Sequence, residues 1–125
     1  MDVRCAAQVE PEVEHDGTVP VWWLVPPGQL ADATAGGSLE LVSEFEVAPG
    51  GAVAPHQHPT HEFYYVLSGR GDMTVGDETR PVGPGDLVRI PPDTVHSLAT
   101  VPRGEAVRCF CFAVAVAGAG PVDYS

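Results

Sequence analysis

Residues 55–69 read PHQHPTHEFYYVLSG, which places three of the chain's five histidines and a glutamate within seven positions. Imidazole nitrogen and carboxylate oxygen are ligands for Fe, Mn, Ni, Co or Zn, and the mixture does not select among them. In an extended segment His56 and His58 project to one face, so both rings can reach one point. Pro55 and Pro59 flank them, restricting the backbone and interrupting ladder hydrogen bonds, as suits a strand end or bend. In the run that follows, Glu62, Tyr64 and Val66 share one face, while His61, Phe63 and Tyr65 share the other. Alternation therefore sets His61 apart from Glu62. A fourth candidate ligand is His96, at the end of GDLVRIPPDTVH, provided that its strand pairs near the first.

Such ligands need a rigid frame, and the chain reads as mainly β. Short β-type runs are separated by Gly and Pro: 19–25, 38–47, 61–67, 71–75, 86–90, 96–100 and 106–116. Leu39, Leu41, Ser43, Phe45 and Val47 alternate with Glu40, Val42, Glu44 and Glu46. Period-2 alternation with closely spaced turn signals marks an all-β sandwich or barrel. VGDETR (75–80) reads as a hairpin turn and PVGPGD (81–86) as another reversal. Segment 26–37 reads as a loop or as a loop holding a short helical turn around Leu30–Ala33. Of the adjacent Trp22 and Trp23, one must face inward and one outward, and parity leaves the order open. In RCFCF (108–112), either the two cysteines or the two phenylalanines face the interior. Residues 1–18 form an N-terminal arm or edge strand, 19–117 a single domain, and 118–125 a C-terminal tail.

Composition narrows the function. The chain has 125 residues, with 17 acidic against 6 basic side chains and a net charge of −11. The six cations are all arginine and are scattered, so nucleic acid and anionic membrane surfaces are disfavoured as partners. There is no signal-peptide pattern and no apolar run of membrane-spanning length. Cys5, Cys109 and Cys111 are an odd set without a secretory signal, which points to reduced thiols and a cytoplasmic location. His15, in a polar stretch, reads as a solvated residue.

Two spaced motifs carry a family resemblance. The first is Gly50, five residues, His56, one residue, His58, three residues, Glu62, six residues, Gly69. The second is Gly85, five residues, Pro91, and then His96 five positions on. On these the chain resembles a small single-domain cupin of bacterial type. The resemblance implies an antiparallel jelly-roll β-barrel holding one divalent metal ion (Fe, Mn, Ni, Zn or Co) on His56, His58, Glu62 and His96. It also implies a homodimer, whose pairing would cover exposed strand edges. Two positions depart from the pattern: Asp93 stands where Gly is usual, and Thr100 where Asn is often found. Neither is a ligand, and Asp tolerates the turn conformations that favour Gly.

The resemblance leaves three kinds of function. One is a metalloenzyme acting on a small organic substrate, either an Fe(II) oxygenase or a Lewis-acid lyase, isomerase or cyclase. Tyr64, on the face of Glu62, is the candidate acid/base in the second branch, since a phenol near a divalent cation can have a lowered pKa. Small cupin lyases that cleave dimethylsulfoniopropionate resemble the chain in having a tyrosine at this position, and small polyketide cyclases resemble it equally. The second function is a non-catalytic metal-dependent module that binds or senses a small molecule. The third is a storage role, which an intact ligand set argues against.

Overall fold

The computed structural model describes residue 2, residues 4–33 and residues 38–119. Ten strands follow in order: β1 (Glu12–Glu14), β2 (Val19–Val25), β3 (Leu39–Val47), β4 (Ala52–His56), β5 (His61–Ser68), β6 (Gly71–Val75), β7 (Glu78–Val82), β8 (Leu87–Ile90), β9 (His96–Thr100) and β10 (Val107–Val114). They form two antiparallel sheets, β1-β2-β3-β10-β5-β8 and β4-β9-β6-β7, as a jelly-roll barrel requires. Among the described residues the only helix is one 3₁₀ turn, Ala6–Gln8, and none is long and apolar enough to cross a membrane. The 26–37 segment contains hydrogen-bonded turns through residue 33 and no helix there; residues 34–37 lie outside the described residues, as do 120–125 of the expected tail.

Alternation builds the core. On β3, Leu41, Ser43, Phe45 and Val47 are buried, and on β10 Val107, Cys109, Cys111 and Ala113 are buried against them. The cysteines thus face inward, and Phe110 and Phe112 line the outer surface, where Phe112 stacks on Phe63 at 4.6 Å. The tryptophans divide likewise. Trp23 packs on the core, while the Trp22 ring lies 3.8 Å beneath the Arg108 guanidinium, which Glu44 holds from the other side at 3.0 Å. Strand β7, ETRPV, takes up residues that the sequence assigns to the two reversals, so the first turn shrinks to residues 76–77 and the second to residues 83–86. All its residues but Val82 are exposed, so it carries no apolar alternation, and its Pro81 is tolerated because β7 is a sheet edge.

Glycine is obligatory at one crossing. Gly69 has φ +79°, and a Cβ there would collide with the carbonyl of Ala106. Thr100 closes the neighbouring corner, its hydroxyl donating to the carbonyl oxygens of Ala48 at 2.6 Å and Gly51 at 3.1 Å.

Burial pushes the Cys109 thiol up to about 12 and the Cys111 thiol well above its ordinary range, whereas Cys5 is exposed. Iodoacetamide at pH 8 is therefore expected to modify Cys5 alone in the folded protein and all three thiols in guanidinium. Mass spectrometry of peptides from the native reaction checks this, and early labelling of Cys109 would contradict the inward register.

Candidate metal centre

Four elements deliver the ligand-type side chains. His56 ends β4, His58 lies on the β4–β5 connection, Glu62 is the second residue of β5, and His96 opens β9. In the ladder His56 pairs with His96, so these two imidazoles come from adjacent strands of one sheet. Glu62 reaches them from the other sheet, where its backbone sits opposite Ala113 and Ile90. One ligand atom from each of the four residues lies within 4.8 Å of the others. His58, Glu62 and His96 are buried, and His56 is half-buried.

Backbone contacts set the tautomers. A carbonyl oxygen can only accept, so His96 Nδ1, 3.0 Å from the oxygen of Thr94, must be protonated; the same holds for His56 Nδ1, 2.7 Å from that of Ala54. In the neutral rings each Nε2 then carries a lone pair. Burial, reinforced by the neighbouring histidines and only partly offset by the Ala54 contact, lowers His56 to about 4, which leaves it neutral at pH 7. Burial would raise the Glu62 carboxyl, but the His96 and His58 imidazoles outweigh it and hold the group below the usual carboxylate range. Glu62 is therefore an anion in the core.

Glu62 Oε1 and His96 Nε2 face each other at 3.2 Å, yet neither has an aligned hydrogen-bond partner. A carboxylate oxygen and an imidazole nitrogen so placed and fully buried are costly unless positive charge, a proton or a metal ion, lies between them. Three imidazoles and one carboxylate make a donor set of the right chemistry for a divalent transition ion. The residues present fit such an ion.

The second motif supports the first. Asp93 adopts φ 55°, the left-handed conformation expected at its usually glycine position, and its N–H donates to the carbonyl oxygen of His58 at 2.7 Å. His61 lies outside the cluster, on the outer sheet face, where Arg89 approaches its Nδ1 at 3.4 Å. Tyr64 is buried beside the cluster, edge-on to Phe45 at 4.9 Å and to His96 at 6.0 Å, on the strand face it shares with Glu62. Burial and the Glu62 carboxylate push the phenol well above its ordinary range.

One residue was misread from sequence. His15 is not solvated: its ring stands edge-on to that of His56 at 4.8 Å and lines the same cavity. Nothing local announces this, because the contact depends on the β1–β2 hairpin reaching the mouth of the barrel. Trp23, Val19, Val21 and Phe45 wall the cavity, which has about 40 Å³ of room for water-sized molecules, with Tyr64 and three of the cluster residues, His56, His58 and Glu62, also lining it. That is space for very few water molecules.

Comparison with known proteins agrees with this geometry. The family model for the cupin domain matches residues 43–113, which contain all four cluster residues and Tyr64. An uncharacterised protein of Methanocaldococcus jannaschii is 32% identical over 95 residues, 75% of this chain and 71% of that protein. The dimethylsulfoniopropionate lyase DddW of Ruegeria pomeroyi is 30% identical over 89 residues, 70% of this chain and 59% of the lyase. Among solved structures, the polyketide cyclase RemF from Streptomyces resistomycificus superposes with a TM-score of 0.74 at 27% identity, covering 99% of this chain and 84% of the cyclase.

If the buried lone pairs await a cation, chelator-stripped protein is expected to gain several degrees in Tm on addition of Zn(II), Ni(II) or Co(II), since an ion bound only by the folded state stabilises it. His96→Ala should abolish most of that gain. An unchanged melting curve for the wild type would show that the cluster holds no ion.

Proposed function

Since the chain belongs to the cupin family, we propose that its four-residue cluster holds one divalent ion and that the protein is an enzyme acting on a small organic molecule. The ligands are His56, His58, Glu62 and His96. The reading is carried by the convergence of their four ligand atoms, two of them buried without a hydrogen-bond partner. The reaction is of Lewis-acid type, a lyase, isomerase or cyclase step, and not an Fe(II)-dependent oxygenation. Two similarities favour this branch, one to a lyase and one to a cyclase, neither named for an oxidation.

A divalent ion at this position supplies positive charge that polarises a carbonyl or carboxylate oxygen. The chain's own residues do the rest. Tyr64 lies buried on the face of Glu62, and burial favours the protonated form of its phenol. Tyr64 is thus a proton reservoir on the cavity floor, poised to exchange a proton with a bound substrate. Trp23, Phe45 and the valines exclude water from that floor and give an apolar fit to a short carbon skeleton. The partner is a small molecule, with no role for nucleic acid or membrane.

Metal-loaded protein tested first with dimethylsulfoniopropionate, and then with other small carboxylates, is expected to turn over equally well with and without dioxygen. Tyr64→Phe should lower kcat by about 10²–10³-fold, the usual worth of one positioned acid/base group, while metal content stays stoichiometric. Consumption of O₂ in step with product would replace this reading with the oxygenase. Ligand binding without any turnover would replace it with a binding or sensing module.

The chain is also proposed to pair as a homodimer. The outer face of the six-stranded sheet carries Trp22, Phe63, Phe110 and Phe112, and Leu87 on its edge strand is 57% exposed. Aromatic faces of this kind suit a protein interface. Light scattering at micromolar concentration is expected to give twice the mass of one chain; the mass of a single chain would refute the pairing.

A further inference from the structure

The turn between β1 and β2 is built at a conformational cost. His15, Asp16 and Gly17 all take left-handed backbone, at φ 51°, 60° and 76°. Glycine adopts this region freely, but histidine and aspartate do not. Thr18 braces the turn, its hydroxyl donating to the His15 carbonyl oxygen at 2.6 Å and its N–H to that of Glu14 at 3.1 Å. The hairpin's first strand gains little from the core in return. β1 pairs with β2 alone and none of its three residues is fully buried. It is tied to the cavity instead, through Trp23, whose indole N–H donates to Glu12 at 3.2 Å.

What this arrangement achieves is the position of one ring. The imidazole of His15 stands 4.8 Å from that of His56, at the mouth of the cavity and outside the set of converging ligand atoms. The walls below it are Val19, Val21, Trp23, Leu41, Phe45 and Val53. Among the described residues lining the cavity there is no arginine, and the chain has no lysine. Glu14 beside His15 in the lining is an acid that only accepts, so the His15 imidazole is the group placed to donate to a ligand oxygen at this end.

We propose that His15 is a ligand-contacting residue, held by the β1–β2 hairpin over the open side of the metal centre, where it hydrogen-bonds a carboxylate oxygen of a small organic acid. The proposal rests on the metal site assigned above. The same strand that walls the apolar side, β2, carries the turn, so ligand size and ligand polarity are read by one hairpin.

The test uses Co(II)-loaded full-length protein, with acetate as the probe and the visible cobalt absorption as readout. His15→Gly removes the ring and suits the left-handed backbone; His15→Gln keeps a hydrogen-bond donor. Acetate Kd should rise about tenfold in His15→Gly, the worth of one hydrogen bond to a charged group, and recover most of that in His15→Gln. Cobalt affinity, measured by competition with a chromophoric chelator, should stay within about twofold in both variants. Unchanged acetate binding in His15→Gly would overturn the proposal. So would a parallel fall in cobalt affinity, which would make His15 a ligand. Wild-type protein that takes up cobalt and does not bind acetate defeats this proposal alone, whereas wild-type protein that takes up no cobalt defeats the metal site and this proposal together.

Discussion

A carboxylate with 4% of its surface exposed cannot remain ionised in a protein core without compensation, and Glu62 is such a group. Its partners come from across the barrel. β5 brings the carboxylate, while β9 and the end of β4 bring imidazoles on the opposing sheet. The registers of both sheets are constrained by this meeting, because a one-residue slip of any of these strands would turn its ligand outward. Small residues make the room. Ala113 stands beside Glu62 in the ladder, and Cys111 beside Tyr64, each nearly or wholly buried.

The same constraint explains the connections. His58 lies on a connection that has no ladder of its own, and the Asp93 N–H fastens that connection from the other motif. Thr100 ties β9 to the corner that leads into β4. Neither residue touches the cluster, yet both hold the backbone from which ligands project. Departures from a family's usual residues can thus be harmless when the replacement preserves the local backbone path. Asp93 accepts the left-handed turn, and Thr100 supplies a hydroxyl donor.

Most of the frame and the cluster were legible in the sequence. Alternation on β3 and β5 determines which side chains face inward, and the resemblance to the two cupin motifs singles out His56, His58, Glu62 and His96 as the residues that converge. Sequence fell short where position depends on the path of the chain in space. β7 has no apolar alternation because its edge is solvated, so its residues read as parts of the two turns. Trp22 and Trp23 could not be ordered, since parity within a strand does not reveal which face packs on the core until the β2–β3 register is known. His15 was out of reach for a stronger reason. It is 41 positions from His56 in a polar turn, and only the curl of an edge hairpin brings the two rings together.

Floor and mouth of the cavity have separate origins along the chain. The floor, with its ligand-type residues and Tyr64, lies within residues 43–113, the stretch that matches the cupin domain. The mouth, with His15, Val19, Val21 and Trp23, lies upstream of that stretch. The two can therefore diverge independently: a lineage can keep its metal chemistry intact while exchanging what it admits, through changes confined to one exposed hairpin. Kinship measured over the barrel then follows the four-residue cluster and Tyr64, and does not weigh the short upstream segment that lines the rest of the cavity.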